Sequence, residues 1–513
     1  MGDLYFRCQW RVLSVFWLGF LFSLQSYGQG MDQDRLNILS EKYAKKSLPL
    51  LREFLSIPND AFFPKDIEKN VKWCEQAFQS RNFKTSRIET ETVPLLLAER
   101  KNVGAKKTVL IYLQIDGQPV DASEWFQESP YLPVVKRQNT EGEWEEVSRD
   151  QWEHFEKDWR VFARSASDAK GPVVMFLSAL DAIQEAQIDP NFNMKVIMDF
   201  EEELGSPHLA KAVKENEKLL KADMLIIFDG PRHISNQPTL TFGARGIATI
   251  SLITYGPIKP QHSGHYGNYA PNPAFGLSKL LASMKDDQGR VSIPTFYDGV
   301  FIDAETEKIL RAIPDDEYEI KERLQLGRVD KVGDYYQEAL QYPSLNICGM
   351  QSGWINEKKR TIVPDWAKAE LDMRLVLETD PERLIGLVKK HIEDQGYYVT
   401  DKTPTKEERM NHEKVATFLS EISYQSFRTR FDSEVGVWLQ KALIKAFNQK
   451  PIMQRMTGGS IPISPFITAL GISAVGVPTV NRDNNQHSPN ENLRLGNYRD
   501  GIKTMIAILS ERL

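Results

Sequence analysis

Five short segments put groups that can bind a cation or move a proton where a strand or turn ends. The first is Gln114-x-Asp116, closing the apolar run Val109 to Leu113. Two residues apart on a strand, these side chains point to the same side. The second is "ARSASDAKGP", with Asp168 ahead of a Lys-Gly-Pro turn into a helix. The third is "VIMDFEEELGSP", with Glu201, Glu202 and Glu203 at a strand end, and the fourth is "MLIIFDGP", with Asp229. The fifth, "NRDNNQHSPNEN", carries His487 in a loop. Taken singly, each has an ordinary explanation. Acidic runs are usually solvated, Asp before Gly or Lys-Gly is usually turn chemistry, and a lone His in a polar loop is usually a surface residue. Gathered at one sheet edge, these carboxylates and the imidazole require a neutralising cation. Carboxylates with His suit zinc or manganese better than calcium.

Positioning them is the work of alternating strands and helices. Val109–Leu113, Lys195–Phe200 and Met224–Phe228 read as buried strands, and Pro172–Ala186 and Pro207–Leu220 as helices between them. Helical patterns over Leu36–Leu55 and Asp66–Arg81 precede them. This alternation predicts an α/β fold with a mixed, mostly parallel sheet flanked by helices. Sites in such sheets form at the C-terminal strand ends. The texture changes near Thr239 into a long β-rich run, a helix over Asn272–Met284, an open β pattern over Thr361–Leu377 and a helix over Pro381–Asp394. That predicts a smaller α+β domain over residues 243–425, inserted between catalytic parts 29–242 and 426–513. The α/β texture resumes in Val435–Phe447, Pro465–Leu470, Ser473–Val477 and Tyr498–Leu509, while Tyr397–Phe431 is polar and has no assignable period.

Composition excludes some classes. The chain has 513 residues and a mild net charge of -6. No basic stripe with interleaved aromatics occurs, which argues against nucleic acid as a partner. Arg7 and Arg11 precede an apolar run from Val12 to Leu24, then Ser26-Tyr27-Gly28 offers a small-x-small cleavage pattern before Gln29. Residues 1–28 therefore read as a signal peptide, and the protein as exported to a periplasmic or extracellular space. The run is short for a span of about 20 residues, and no later segment is apolar enough, so no stable membrane insertion is expected after signal removal. Cys74 and Cys348 make neither a disulfide framework nor a cysteine zinc site and are expected to be buried thiols.

The order of the motifs resembles the zinc hydrolases that include carnosine-type dipeptidases, aminoacylases and acetylornithine deacetylase-like enzymes. The resemblance spans nearly the whole mature chain and is closest to the dipeptidase branch. Its strand-end motif is His-x-Asp with a Gln-Pro turn, as in Gln118-Pro119. Its Asp-(Asp/Asn)-Lys-Gly-Pro is matched by Asp168 to Pro172 except at Ala169. Glu202 to Ser206 match Glu-Glu-x-Gly-Ser, and His487 to Glu491 match His-Ser-x-Asn-Glu.

The resemblance implies roles. Asp168 bridges two metals, Asp229 binds one of them, and Glu203 with His487 binds the other. Glu202 is the general base and Asp116 orients a ligand from behind it. Gln114 stands where the remaining histidine ligand is expected. In the inserted domain, "HSGHYGNYAPNP" carries His262, which reaches the scissile carbonyl across a homodimer formed through that domain. Arg374 and the amides of Gly458, Gly459 and Ser460 hold a substrate carboxylate, assisted by Asn346. The implied chemistry is amide hydrolysis in dipeptides or short peptides by metal-activated water, with one or two zinc ions, or manganese or cobalt. Because an amide oxygen is a poorer zinc ligand than imidazole, three outcomes stay open: two metals with one weakly held, one metal on Asp168, Glu203 and His487, or a silent site. The alternatives are an N-acyl amino acid deacylase and a non-catalytic peptide-binding protein. A serine hydrolase is disfavoured, since no Gly-x-Ser-x-Gly elbow occurs.

Overall fold

The computed structural model describes residues 31–513. The expected signal peptide lies outside the described residues. The main sheet runs in the spatial order Lys84–Ile88, Leu95–Arg100, Asn193–Asp199, Thr108–Gln114, Met224–Ile227, Ser473–Gly476, Thr239–Thr241, Ile452–Gln454. Its central four strands, Asn193–Asp199 to Ser473–Gly476, are mutually parallel. They are built from Val, Ile, Leu and Met and are buried almost throughout, as strands covered on both faces must be. Antiparallel pairings flank them. The sheet is thus mixed, as expected.

Helices Gln33–Leu55, Lys170–Glu185 and Leu495–Ser510 share one core with one face of this sheet. The opposite face packs on Leu209–Glu215 and Ser464–Leu470. The expected single helix over Pro207–Leu220 is two short helices, Leu209–Glu215 and Glu217–Leu220, meeting at Asn216. Asn216 turns its amide back onto the Ala212 carbonyl, a local bond that competes with the helix.

A second sheet, with its own core, has the order Ser344–Gln351, Trp366–Leu375, Gly246–Tyr255, Val415–Tyr424, Tyr398–Thr400. Gly243–Ala244 pairs with Phe427–Arg428, so the chain enters and leaves this unit side by side. The unassigned stretch Tyr397–Phe431 supplies two of its strands. Its long strand is buried only over Val415–Phe418 and open beyond, which hid the period. One expectation fails here: Cys74 is buried but Cys348 is exposed on the edge strand Ser344–Gln351.

Among the described residues no helix is long and apolar enough to cross a membrane.

Candidate metal centre and active site

Because the central strands are parallel, their C-terminal ends emerge on one edge. Gln114 closes one strand, Asp199 its neighbour, and Asp229 follows a third by two residues. The loop after Ser473–Gly476 runs on to His487. Topology alone thus gathers residues distant in sequence.

Asp168, Glu203 and His487 form a compact donor set, each offering one ligand atom within 4.8 Å of the others. His487 Nε2 lies 3.0 Å from Asp168 Oδ2 and 3.4 Å from Glu203 Oε2. Gln118 donates to Glu203 Oε2 at 2.8 Å, and Gln486 to Asp168 Oδ2 at 3.3 Å. His487 adopts a left-handed backbone, φ +62°, uncommon outside glycine and asparagine. Its loop is pinned by side-chain bonds from Asn484, Asn485 and Asn492, and that network holds the conformation.

The electrostatics are those of several carboxylates crowded together in a buried site. Burial, then Asp168, pushes Glu203 up to about 8. Burial, then Asp168, pushes Asp229 up to about 7. Glu202 is raised well above the ordinary carboxylate range by burial, then by Asp229 and Glu203. The hydrogen bond to Asp168 raises His487 to about 9. Carboxylates crowded in low dielectric retain protons unless a cation replaces them. The donor set of two carboxylates and one imidazole fits a divalent cation such as zinc or manganese.

Gln114 is 1% exposed, and its Nε2 has no hydrogen-bond partner. A buried amide left unpaired costs free energy, and a half-turn of the amide exchanges nitrogen for oxygen there. That oxygen is a neutral, hard donor, weaker for zinc than imidazole. Asp229 lies close enough to Asp168 and His487 to feel their charges, but makes its side-chain hydrogen bond to the amide of Gly230.

Asp116 is fully buried and accepts the backbone amides of Glu202 and Glu203, each at 3.0 Å. It thereby sets the turn that carries both glutamates. Glu201 points away, taking a hydrogen bond from Thr92, as an ordinary structural residue does. Gly205 closes this turn at φ +85°, and the Tyr424 hydroxyl of the second sheet occupies the space a β-carbon would need.

The loop bearing Asp168 is organised by a residue whose role the sequence reading did not assign. Glu491, fully buried, accepts the amides of Ser165, Ser167 and Asp168 at 2.9–3.0 Å and pairs with Arg164 at 2.8 Å. Lys170, also buried, donates to the carbonyls of Phe54 and Ile57 and so anchors the helix start. A β-carbon at Gly171 would overlap the Ala166 carbonyl, which is why glycine follows the lysine. The lone clue to Glu491 was its place at the end of the His487 motif.

The expected substrate groups are partly assembled. Arg374 donates to Ser460 at 2.9 Å and lies 3.8 Å from Asp372, which also accepts Asn346 at 2.9 Å. Gly458 and Gly459 line a cavity of about 630 Å³ that also takes in Asp229 and Gln486. His262 is not brought to the cluster in this chain. It is exposed on Gln261–His262, accepts the Gly264 amide at 3.0 Å, and its ring lies tilted at 43° to that of His265, 4.8 Å away.

The profile of Peptidase family M20/M25/M40 matches residues 134–511. A Cys-Gly metallodipeptidase of Candida albicans is 27% identical over 419 residues, covering 80% of either chain. The human Beta-Ala-His dipeptidase is 27% identical over 424 residues, 82% of this chain and 77% of the relative. Among solved structures, an M20 family metallo-carboxypeptidase from Sulfolobus solfataricus superposes with a TM-score of 0.75 at 28% identity, over 91% of this chain and 98% of the other. Human carnosine dipeptidase 1 shares the fold, with a TM-score of 0.70 at 22% identity, over 93% and 98% of the two chains.

Proposed function

The chain belongs to peptidase family M20/M25/M40, and on that premise we propose that it is an exported, metal-dependent dipeptidase acting on peptides with a free carboxylate. The observation that carries the reading is the convergence of Asp168, Glu203 and His487 beside Glu202. These three residues would hold one divalent cation, and Asp229, close enough to Asp168 to feel its charge, would serve a second, weaker position to which the resemblance assigns Gln114. A bound cation supplies Lewis acidity to the substrate carbonyl and acidifies a water at neutral pH.

The remaining steps belong to the chain. Glu202 accepts the proton of the attacking water at a carboxylate oxygen and passes it to the leaving amine nitrogen. Asp116 keeps Glu202 and Glu203 on one rigid turn, so base and ligand hold their relative positions. Arg374 with Ser460, and the amides of Gly458 and Gly459, take the substrate carboxylate. His262 of a second copy, docked through the inserted domain, donates to the developing oxyanion.

Gln114, with its unpartnered amide nitrogen, favours one competing reading: a peptide-binding protein that does not cleave. Metal analysis of the mature protein combined with a panel of dipeptides and N-acyl amino acids separates the two. The proposal expects turnover of dipeptides that chelation abolishes and zinc restores. No metal and no turnover, with Gln114→His restoring both, would make the natural protein silent.

A further inference from the structure

The cavity beside the proposed metal centre extends well beyond it, into the segment Asp315–Leu340. At about 630 Å³ it lies in the range of cavities that hold drug-sized ligands, larger than the scissile amide and one carboxylate require. Apolar side chains, among them Ile234, Ile320, Leu340 and Phe427, form part of its wall.

Two guanidinium groups stand out on that wall. Arg323 ends the helix Glu317–Arg323, and Arg482 lies in the loop leading to His487; both line the cavity. Both are exposed, and neither has a hydrogen-bond or ion-pair partner among the described residues. Elsewhere arginines of this chain are committed, as Arg160 is to Asp483, Arg428 to Glu378 and Arg164 to Glu491. The carboxylates lining the cavity do not serve the pair. Asp315 is taken up by His233 at 2.9 Å and by Gln337 at 2.6 Å, while Asp229 belongs to the metal end. A third arginine on the wall, Arg232, is buried with its ion pair to Asp500 at 3.6 Å. Beyond the metal, the cavity is therefore electropositive with apolar sides. A fixed cation in a concave, partly apolar site attracts an anion more strongly than on an open surface.

We propose that Arg323 and Arg482 form an acidic-side-chain subsite, so that the preferred substrates are dipeptides containing an aspartyl or glutamyl residue. This rests on the dipeptidase reading and narrows its substrate class. It adds a second carboxylate to the one assigned to Arg374 and Ser460. The apolar wall takes the methylenes of the side chain, and the guanidinium groups take its carboxylate.

The test separates binding from turnover. Calorimetry on zinc-loaded Glu202→Gln protein measures Kd for Ala-Glu against Ala-Gln and for Glu-Ala against Gln-Ala. The acidic peptide of one pair is expected to bind roughly tenfold tighter than its amide analogue, with the ratio shrinking as salt is raised. Adding Arg323→Gln and Arg482→Gln brings that ratio to about one, with unchanged thermal melting as the check on folding. Equal affinities in both pairs, or a preference that survives the arginine substitutions, overturns the subsite. Absence of binding by all four peptides overturns it together with the peptide reading. A preference that is present while the wild-type protein hydrolyses none of the four leaves the subsite standing and sinks the hydrolysis alone.

Discussion

Glu491 accepts the backbone amide of Asp168 at 2.9 Å across 323 residues of sequence. It sits four residues after His487, so one buried carboxylate ties together the segments carrying two proposed metal ligands. Glu491→Gln leaves Arg164 buried without its counter-charge and turns one acceptor oxygen into a donor facing amides. A loss of about 3 kcal/mol of stability is expected, with metal affinity reduced roughly 10- to 100-fold. Chemical denaturation and metal titration measure the two effects. Wild-type affinity in a folded variant would deny Glu491 any positioning role.

Glu202→Gln should leave the metal content of the protein intact and lower kcat by roughly 10²- to 10⁴-fold. Metal analysis alongside steady-state kinetics on one dipeptide decides it. A variant retaining most of its activity would remove Glu202 as the base.

Gln114→His replaces a neutral amide oxygen donor by imidazole. The more weakly held ion should bind at least about tenfold tighter, because imidazole is the better zinc ligand. Metal titration of both proteins reads this directly. Identical binding curves would show that residue 114 faces no metal.

The metal-free protein should lose stability as pH rises. Glu203 and Asp229 are raised to about 8 and about 7, and His487 to about 9. Each therefore holds its proton in the folded state at a pH where the unfolded chain has released it. Folding takes up protons across this window, so stability falls from about pH 5 to about pH 9. A divalent cation replaces those protons and flattens the dependence. Thermal melts in chelator and in zinc test this; a chelated protein whose Tm is level or rising over that range contradicts it.

If His262 serves the site of a second copy, inactive variants should complement one another. Unfolding and refolding a mixture of His262→Ala and Glu202→Gln should regain up to about a quarter of wild-type activity, since one of the two sites in each mixed dimer is complete. A mixture no more active than its components would keep His262 out of the partner's site.

Much of the main sheet was legible from residue order. Buried parallel strands read as unbroken apolar runs because helices cover them on both faces, through two separate cores, and the helices between them followed the helical period. The site residues were legible as types at strand ends, and the resemblance supplied their roles. What local pattern could not reveal was the strand Val415–Tyr424, whose far half is open to solvent, or the exposure of Cys348 on an edge strand.

The sequence by itself determined which groups stand at the strand ends, because residue identity and two-residue strand periodicity are local properties; that Gln114 stands where a histidine is expected followed from the resemblance to the zinc hydrolases. Only the tertiary structure decided that Asp168, Glu203 and His487 meet within 4.8 Å, that Asp116 grips the Glu202–Glu203 turn, and that Glu491 organises the Asp168 loop. These relationships join segments tens to hundreds of residues apart. They exist because parallel strands bring their C-terminal ends to one edge, where buried carboxylates must find amide donors, a guanidinium or a cation.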